Sequence, residues 1–246
     1  MDEAARDAID SGIGHRKWTL NGTVPWKHEK EMRDEHFEIF VEEFGEVTTR
    51  VPASSSAING WRSTMPSALL GYWSEEGWSG FGKGLFWIVN PDDFEDLLAE
   101  WLEGTPLAKV DHFHVIARTA FGKLYLWGEK TGASAEIVAS DHSVLCLERD
   151  LKKPVKNPDL ALRGFFSGKD PSYADAMDQD GKPLFQRALQ ALGPLQPDQT
   201  YGFEPALVAG GAARLENLRV VDMREHLSML RQLAGPQFPM GGLHLD

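Results

Sequence analysis

Four short apolar segments between Asp111 and Glu148 constrain the fold more strongly than any other part of this sequence. Turn-forming residues separate them, and each segment is too short to be a typical helix. Brief apolar runs interrupted so regularly are typical of strands joined by tight turns, so the pattern predicts an antiparallel β-meander. The four predicted strands are His114–Ala117, Leu124–Trp127, Ala135–Val138 and Val144–Leu147.

Helical spacing dominates the sequence before the meander. Apolar residues recur every three or four positions from Lys27 to Phe44, which predicts an amphipathic helix that Gly45 ends. A second helix is expected to open at Asn90–Pro91, since asparagine caps helices and proline suits the first helical position. Two short helices and one buried strand are predicted between them: Ala57–Arg62, Ser67–Tyr72 and Leu85–Val89.

A charged segment with two prolines, Leu151–Pro158, is the predicted boundary after the meander. Beyond it, helices are expected at Pro183–Gly193 and Asp222–Ala234, and Tyr201–Gly211 is expected to be an apolar loop. We therefore predict an α+β fold, with an antiparallel sheet and helices in the first lobe and a mainly helical second lobe. The predicted divisions are an N-terminal extension (1–26), a first domain (27–150) and a C-terminal module (151–246).

Charge and composition restrict the classes of function. The chain has 37 acidic residues against 25 lysines and arginines, giving a formal net charge of −12. Such a protein repels phosphate backbones and is drawn to basic partners. The single cysteine, Cys146, lies in an apolar run and is expected to be a buried structural thiol. The acidic N-terminus and the lack of a long apolar segment predict a cytoplasmic protein that does not enter a membrane.

Two histidines are the strongest candidates for chemistry. His112 and His114 stand two apart, and on a strand they would share one face, so they could be two metal ligands, with Asp141 or His142 as the third. The interpretation we prefer is structural, with one of the two merely exposed. The glycines of Gly80-x-Gly82-x-Gly84 precede a strand, whereas a phosphate loop follows one, so they favour a turn. Neither catalytic residues, a metal site nor a cofactor is assigned.

Several long motifs resemble two known protein modules. The first resembles the GAD-like domain, and the second resembles an uncharacterised module commonly placed behind it. The motifs of the first are Phe40–Gly45, Met65–Trp78, Gly84–Phe94 and Ala120–Trp127. Those of the second are Tyr201–Leu207, Gly210–Gly211 and Glu225–Leu227. Proteins of this build are similar to immunity proteins of type VI secretion toxins, notably DNase toxins.

The resemblance implies a cytoplasmic, non-catalytic antidote that binds its cognate toxin, expected to be a basic nuclease, and blocks its active site or DNA-binding surface. The acidic helix after Pro91 and the Gly/Trp-rich segment before it are the expected contact region. The predicted toxin-binding residues are Glu75, Glu76, Trp78, Asp92, Asp93, Glu95, Asp96 and Glu100. Two alternatives stay open: a metal-dependent hydrolase that uses His112 and His114, and an RNA-binding module of the GAD type, against which the negative charge argues.

Overall fold

The computed structural model describes residues 33–240. The predicted extension (1–26) and the first residues of the helix expected from Lys27 lie outside the described residues. Among the described helices, none combines the length and the apolar character needed to cross a membrane. The strands are β1 (Thr49–Val51), β2 (Trp78–Phe81), β3 (Phe86–Ile88), β4 (Phe113–Thr119), β5 (Lys123–Gly128), β6 (Gly132–Val138), β7 (Ser143–Cys146), β8 (Gln199–Phe203) and β9 (Leu218–Asp222). The helices are α1 (Glu35–Phe44), α2 (Ser55–Gly60), α3 (Ser67–Glu76), α4 (Glu95–Leu102), α5 (Glu148–Leu151), α6 (Pro158–Ser167), α7 (Pro171–Ala174), α8 (Phe185–Leu192) and α9 (Met223–Leu233).

Seven strands form one antiparallel sheet in which each strand pairs with its neighbour in the chain, from β1 to β7. The predicted α+β class and the four-strand meander, β4 to β7, are confirmed. β6 could be predicted from the sequence because buried and partly exposed residues alternate along it. Ala135 and Ile137 are buried in the core, while Ser134 and Glu136 are only partly covered. β1 and β2 were not predicted, because they are three and four residues long and lie among glycine, serine and proline.

The C-terminal part is mainly helical, as predicted, but it also contains a two-stranded sheet. The prediction of a loop at Tyr201–Gly211 was wrong for its first residues, because Tyr201–Phe203 belong to β8 and pair with β9. Gly202 is required there, since a Cβ atom at this position would lie 2.6 Å from the His226 imidazole. A small residue therefore lets α9 pack closely on the hairpin.

One apolar core runs through the described residues. Phe166 of α6 lies within 5.5 Å of the rings of Phe37, Phe40 and Tyr72, which belong to helices before the meander. The Trp101 indole of α4 donates to the Leu227 carbonyl oxygen of α9 at 3.1 Å. These contacts join the segments on either side of residue 150 into one compact unit. The division of the sequence near residue 150 stays a prediction.

A buried ion-pair network ties α3 to the segments beside it. Glu76 is only 2% exposed and receives Arg33 Nε on one carboxylate oxygen at 2.6 Å and Arg50 on the other at 2.5 Å. Arg33 also makes a two-point contact with Glu46 at 2.9 and 2.6 Å. The hydrogen bonds that Arg33 donates to Glu46 and Glu76 raise its pKa, so the guanidinium stays charged despite its burial.

Glu76→Gln is expected to destabilise the fold by about 1.5–3 kcal/mol, because it removes the buried counter-charge of Arg33 and leaves the exposed Glu46 as its acidic partner. The free energy of unfolding from urea titration measures the effect. Glu43→Gln, an exposed change on α1, is the control and should stay within about 0.5 kcal/mol. A loss of similar size in both variants would contradict a structural role for the network.

Phe166→Ala is expected to cost about 3–5 kcal/mol and to shift the unfolding of the whole core, because the ring lies between the two parts of the chain. All eight tryptophans lie at or before Trp127, so their fluorescence reports mainly on the first part, although the Trp101 indole also contacts Leu227 of α9. The fluorescence midpoint should therefore fall together with the far-UV circular dichroism midpoint. Leu160→Ala, on the exposed side of the same helix, is the control. An unchanged fluorescence midpoint in the Phe166 variant would show two independent units.

Candidate partner-binding cleft

The helix after Pro91 begins as predicted, but in two steps. A short 3-10 turn covers Pro91–Asp93, with the Asn90 side chain accepting from the Asp92 amide at 3.3 Å, and α4 follows from Glu95. Asp92 and Asp93 are exposed, and the side chain of Asp96 is 95% exposed. Three predicted contact residues thus stand in solvent at the start of this helix.

The far end of the same acidic face is covered by α9. Both carboxylate oxygens of Glu100 are engaged, one by Ser228 Oγ at 2.5 Å and the other by Gln232 at 3.5 Å. Arg231 donates to the carbonyl oxygens of Glu100 and Glu103. Glu100 therefore serves the contact between α4 and α9, and the exposed charge is concentrated at the other end of α4.

The predicted residues before the sheet are separated from one another. The Glu76 carboxylate lies in the buried network described above, whereas Glu75 is half-buried and its carbonyl oxygen accepts from Arg50. Trp78 is partly buried, packs edge-on against Trp73 with ring centroids 6.4 Å apart, and has a buried indole N–H without a hydrogen-bond partner. Trp78 is the only member of this group that reaches the cleft described next.

A cleft of about 420 Å³ opens between the edge of the sheet and the C-terminal elements. Its walls are mostly apolar, and its polar lining is dominated by carboxylates from distant parts of the chain. The apolar lining comes from Val51, Trp78, Trp87, Ile88, Val89, Phe94, Pro197 and Met223, and the charged lining from Asp93, Asp198, Asp222, Arg224 and Glu225. A concave site with apolar walls and a few converging charges is typical of a binding site.

We call six exposed carboxylates on and next to this cleft the acidic rim: Asp92, Asp93, Asp96, Asp198, Asp222 and Glu225. Arg224 lies among them, 3.7 Å from Asp96. Partial burial and the neighbouring Asp92 raise the pKa of Asp93, and Arg224 counteracts this rise. Burial is the larger cause of this rise, and the rest reflects repulsion between Asp92 and Asp93, which a cation entering the rim would relieve.

A buried arginine, Arg118, holds the segment next to Asp198 of the rim in place. Arg118 of β4 lies over the Trp87 ring, 4.7 Å from its centroid, and donates to the Pro197 carbonyl oxygen at 2.7 Å. Burial lowers the pKa of Arg118 to about 9, and the charge of Asp198 opposes that shift. The contact holds the segment that carries Asp198 against the central sheet.

Sequence reasoning missed three members of the rim: Asp198, Asp222 and Glu225. Asp222 and Glu225 were recognised only as a helix start, and Asp222 does accept from the Glu225 amide at 2.9 Å as the cap of α9. Their proximity to Asp93 depends on the packing of α9 beside α4, which no local pattern reveals. The acidic first turn of α9 was the available signal.

The two predicted histidines are brought together, but not with the ligands we expected. His112 and His114 have ring centroids 4.4 Å apart, and they lie beside Glu95 and Glu129. Glu95, His112 and His114 offer ligand atoms within 4.8 Å of one another. The proposed third ligand His142 instead bonds through Nε2 to the Leu230 carbonyl oxygen. Neither Asp141 nor His142 belongs to this group, so that part of the prediction was wrong.

Asp92→Asn is expected to lower the pKa of Asp93, because it removes the nearest repelling charge. A pH titration of the Asp93 carboxyl carbon by NMR measures the change. Asp96→Asn is the matched control, since Asp96 does not contribute to the raised pKa, and it should leave Asp93 unchanged. An Asp93 titration that is the same in the wild type and the Asp92 variant would contradict the repulsion between these two carboxylates.

Comparisons with known proteins agree with this architecture. The model of the GAD-like domain matches residues 35–141, and the model described as "T6SS immunity protein Tdi1, C-terminal" matches residues 159–234. The crystal structure of Atu4351 from Agrobacterium tumefaciens is similar, with a TM-score of 0.73 and 26% sequence identity. That match covers 82% of this chain and 91% of the other. A search of curated proteins gave no match.

These matches bear out the modules inferred from the sequence motifs, and they support a role as an immunity protein. The acidic rim draws on both matched regions, since Asp93 lies in the first and Asp198, Asp222 and Glu225 lie in the second. Residues 35–141 thus match the GAD-like domain, and residues 159–234 match the C-terminal domain of the type VI secretion immunity protein Tdi1.

Proposed function

We propose that this protein is a non-catalytic immunity protein that neutralises a nuclease toxin by placing the acidic rim over the toxin's DNA-binding surface. One observation carries the proposal: six exposed carboxylates gather around an apolar cleft, with one arginine among them. A nuclease must present cationic side chains to bind the phosphates of DNA. A folded, negatively charged protein can occupy the same cations and exclude the substrate.

The cleft offers a binding site for one cationic side chain of the toxin. A lysine or arginine of the toxin can lay its aliphatic stem along the apolar walls formed by Trp78 and Phe94, while its cationic group meets Asp93, Asp198 or Glu225. Long-range attraction by the rim mainly raises the association rate, and the desolvated contact inside the cleft sets the lifetime of the complex.

The proposal uses fewer contact residues than the sequence alone suggested. Asp92, Asp93 and Asp96 remain from the residues proposed on sequence grounds, and Trp78 contributes a wall of the cleft. Glu95 belongs to the histidine cluster beside the rim, and Glu75 lies half-buried outside the cleft. Glu76 and Glu100 are occupied inside the molecule, so the proposal does not use them as contacts.

The cytoplasm is the compartment in which an antidote would meet a toxin that attacks DNA. The chain's single cysteine is buried and makes no disulfide, which fits a reducing compartment. Binding of RNA by the first module is the weaker alternative, because the acidic rim would repel a phosphate backbone.

Asp92→Lys combined with Asp96→Lys is expected to slow association with the toxin encoded beside this gene by at least about tenfold at low salt, since charge steering raises such rates by about 10–1,000-fold. Stopped-flow mixing of the full chain with a catalytically inactive toxin measures the rate at two salt concentrations. Glu42→Lys with Glu43→Lys makes the same change of charge on α1 and is the control. The difference between the variants should shrink at high salt.

If both double variants slowed association equally, the effect would depend only on the net charge of the protein, and this would overturn the role of the rim. A complex of the active toxin with this protein that still cleaves DNA would overturn inhibition by occlusion. Chemical turnover of the toxin or of DNA by this protein alone would overturn the non-catalytic role.

A further inference from the structure

A cluster of two histidines and two glutamates lies beside the first turn of α4. His114 Nδ1 is 2.9 Å from Glu95 Oε1, and His114 Nε2 is 3.1 Å from Glu129 Oε1. The same Glu129 oxygen lies 3.0 Å from His112 Nδ1. We propose that Glu95, His112 and His114 bind a divalent transition-metal ion of the Zn²⁺ class, with Glu129 orienting both imidazoles.

The hydrogen bonds of Glu129 set the chemistry of the rings. A carboxylate oxygen only accepts, so it holds a proton on His114 Nε2 and another on His112 Nδ1. In the neutral rings, His114 Nδ1 and His112 Nε2 are then left with lone pairs. A carboxylate that receives the far N–H of a ligating histidine is the usual partner of such a ligand, because it fixes the tautomer and makes the metal-binding nitrogen more basic.

The contact between His114 Nδ1 and Glu95 needs a cation. Two acceptors that face each other at 2.9 Å repel unless a proton or a metal ion lies between them. The side chain of His114 is only 2% exposed, and Trp61 packs edge-on against its ring at 4.9 Å. This nitrogen is therefore held in place toward Glu95 whether or not an ion is bound.

The remaining ligands can adjust to an ion. One nitrogen of each histidine and one carboxylate oxygen of Glu95 lie within 4.8 Å of one another, whereas metal–ligand distances of about 2.0–2.2 Å require the ligand atoms to be closer together. The side chains of His112 and Glu95 are 67% and 41% exposed, so small rotations of both can close the difference around the fixed His114.

The types of ligand atom determine which metal ion the site prefers. Two imidazoles and one carboxylate suit Zn²⁺ and its neighbours, while Mg²⁺ and Ca²⁺ prefer oxygen ligands alone. Three protein ligands leave a fourth coordination position open. The ion would join the start of α4, through Glu95, to β4 and the residue just before it, through His114 and His112, and so stabilise the part of α4 that carries Asp96.

Isothermal titration of the tag-free full chain, first treated with a chelator, tests the site with ZnCl₂ and with MgCl₂. We expect one equivalent of Zn²⁺ to bind and no binding of Mg²⁺. Glu95→Gln and His112→Ala should each weaken Zn²⁺ binding at least about tenfold, and Glu129→Gln about 10–100-fold as the orienting partner. His112 is exposed and Glu95 partly exposed, so these variants are expected to stay folded, which circular dichroism checks.

His36→Ala is the control, because His36 is a described histidine outside the cluster, with Nδ1 3.3 Å from Ser167 Oγ. Its Zn²⁺ affinity should equal that of the wild type. X-ray absorption of the zinc-loaded chain should show two imidazoles and a carboxylate around the ion. Failure of the wild type to bind Zn²⁺, or equal affinity in the wild type and the Glu95 and His112 variants, would overturn the proposal and leave a proton as the cation between His114 and Glu95.

Discussion

The contact between α4 and α9 decides where this protein is negatively charged. α9 engages Glu100 through Ser228 and Gln232, and it accepts the Trp101 indole N–H at the Leu227 carbonyl oxygen. The same packing places Asp222 and Glu225, at the start of α9, around the cleft that Asp93 also lines. The contact between α4 and α9 thus engages the carboxylate of Glu100 at one end of the acidic face. At the other end, it adds the carboxylates of Asp222 and Glu225 to that of Asp93.

The acidic residues fall into two groups with different physical roles. Glu76, Glu100 and Asp34 are bound to neighbouring side chains, with Asp34 receiving Tyr72 and Arg163 at 2.6 and 3.0 Å. Removing the partners of such a carboxylate would cost several kcal/mol, so these residues are committed to contacts inside the fold. The members of the acidic rim stand in solvent, where one arginine among them balances only part of their charge. Net charge alone does not distinguish the two groups.

Local patterns predicted the parts of the fold that depend on local chemistry. The meander followed from alternation and turns, the start of the helix region at Asn90–Pro91 followed from capping, and the buried state of Cys146 followed from its apolar neighbours. Burial raises the pKa of that thiol to about 11, in keeping with a structural residue. The β8–β9 hairpin was missed because Gly202 and Pro205 resemble loop residues until the packing of His226 on Gly202 is known.

The candidate site could be predicted only in part, because it is assembled from distant segments. Asp92, Asp93 and Asp96 were visible as one acidic helix face, but the burial of Glu76 depends on Arg33, forty-three residues earlier in the chain. The pairing of His112 and His114 followed from strand spacing, while the approach of Glu95 required the packing of α4 on the sheet.

Hydrogen–deuterium exchange of the full chain, alone and with its inactive toxin, tests the central claim most directly. The account predicts that the toxin slows exchange in peptides that cover residues 90–98, 195–199 and 221–226, which carry the acidic rim. Slowed exchange confined to other surfaces, with these peptides unchanged in a fully formed complex, would contradict the assignment of this cleft as the toxin-binding site.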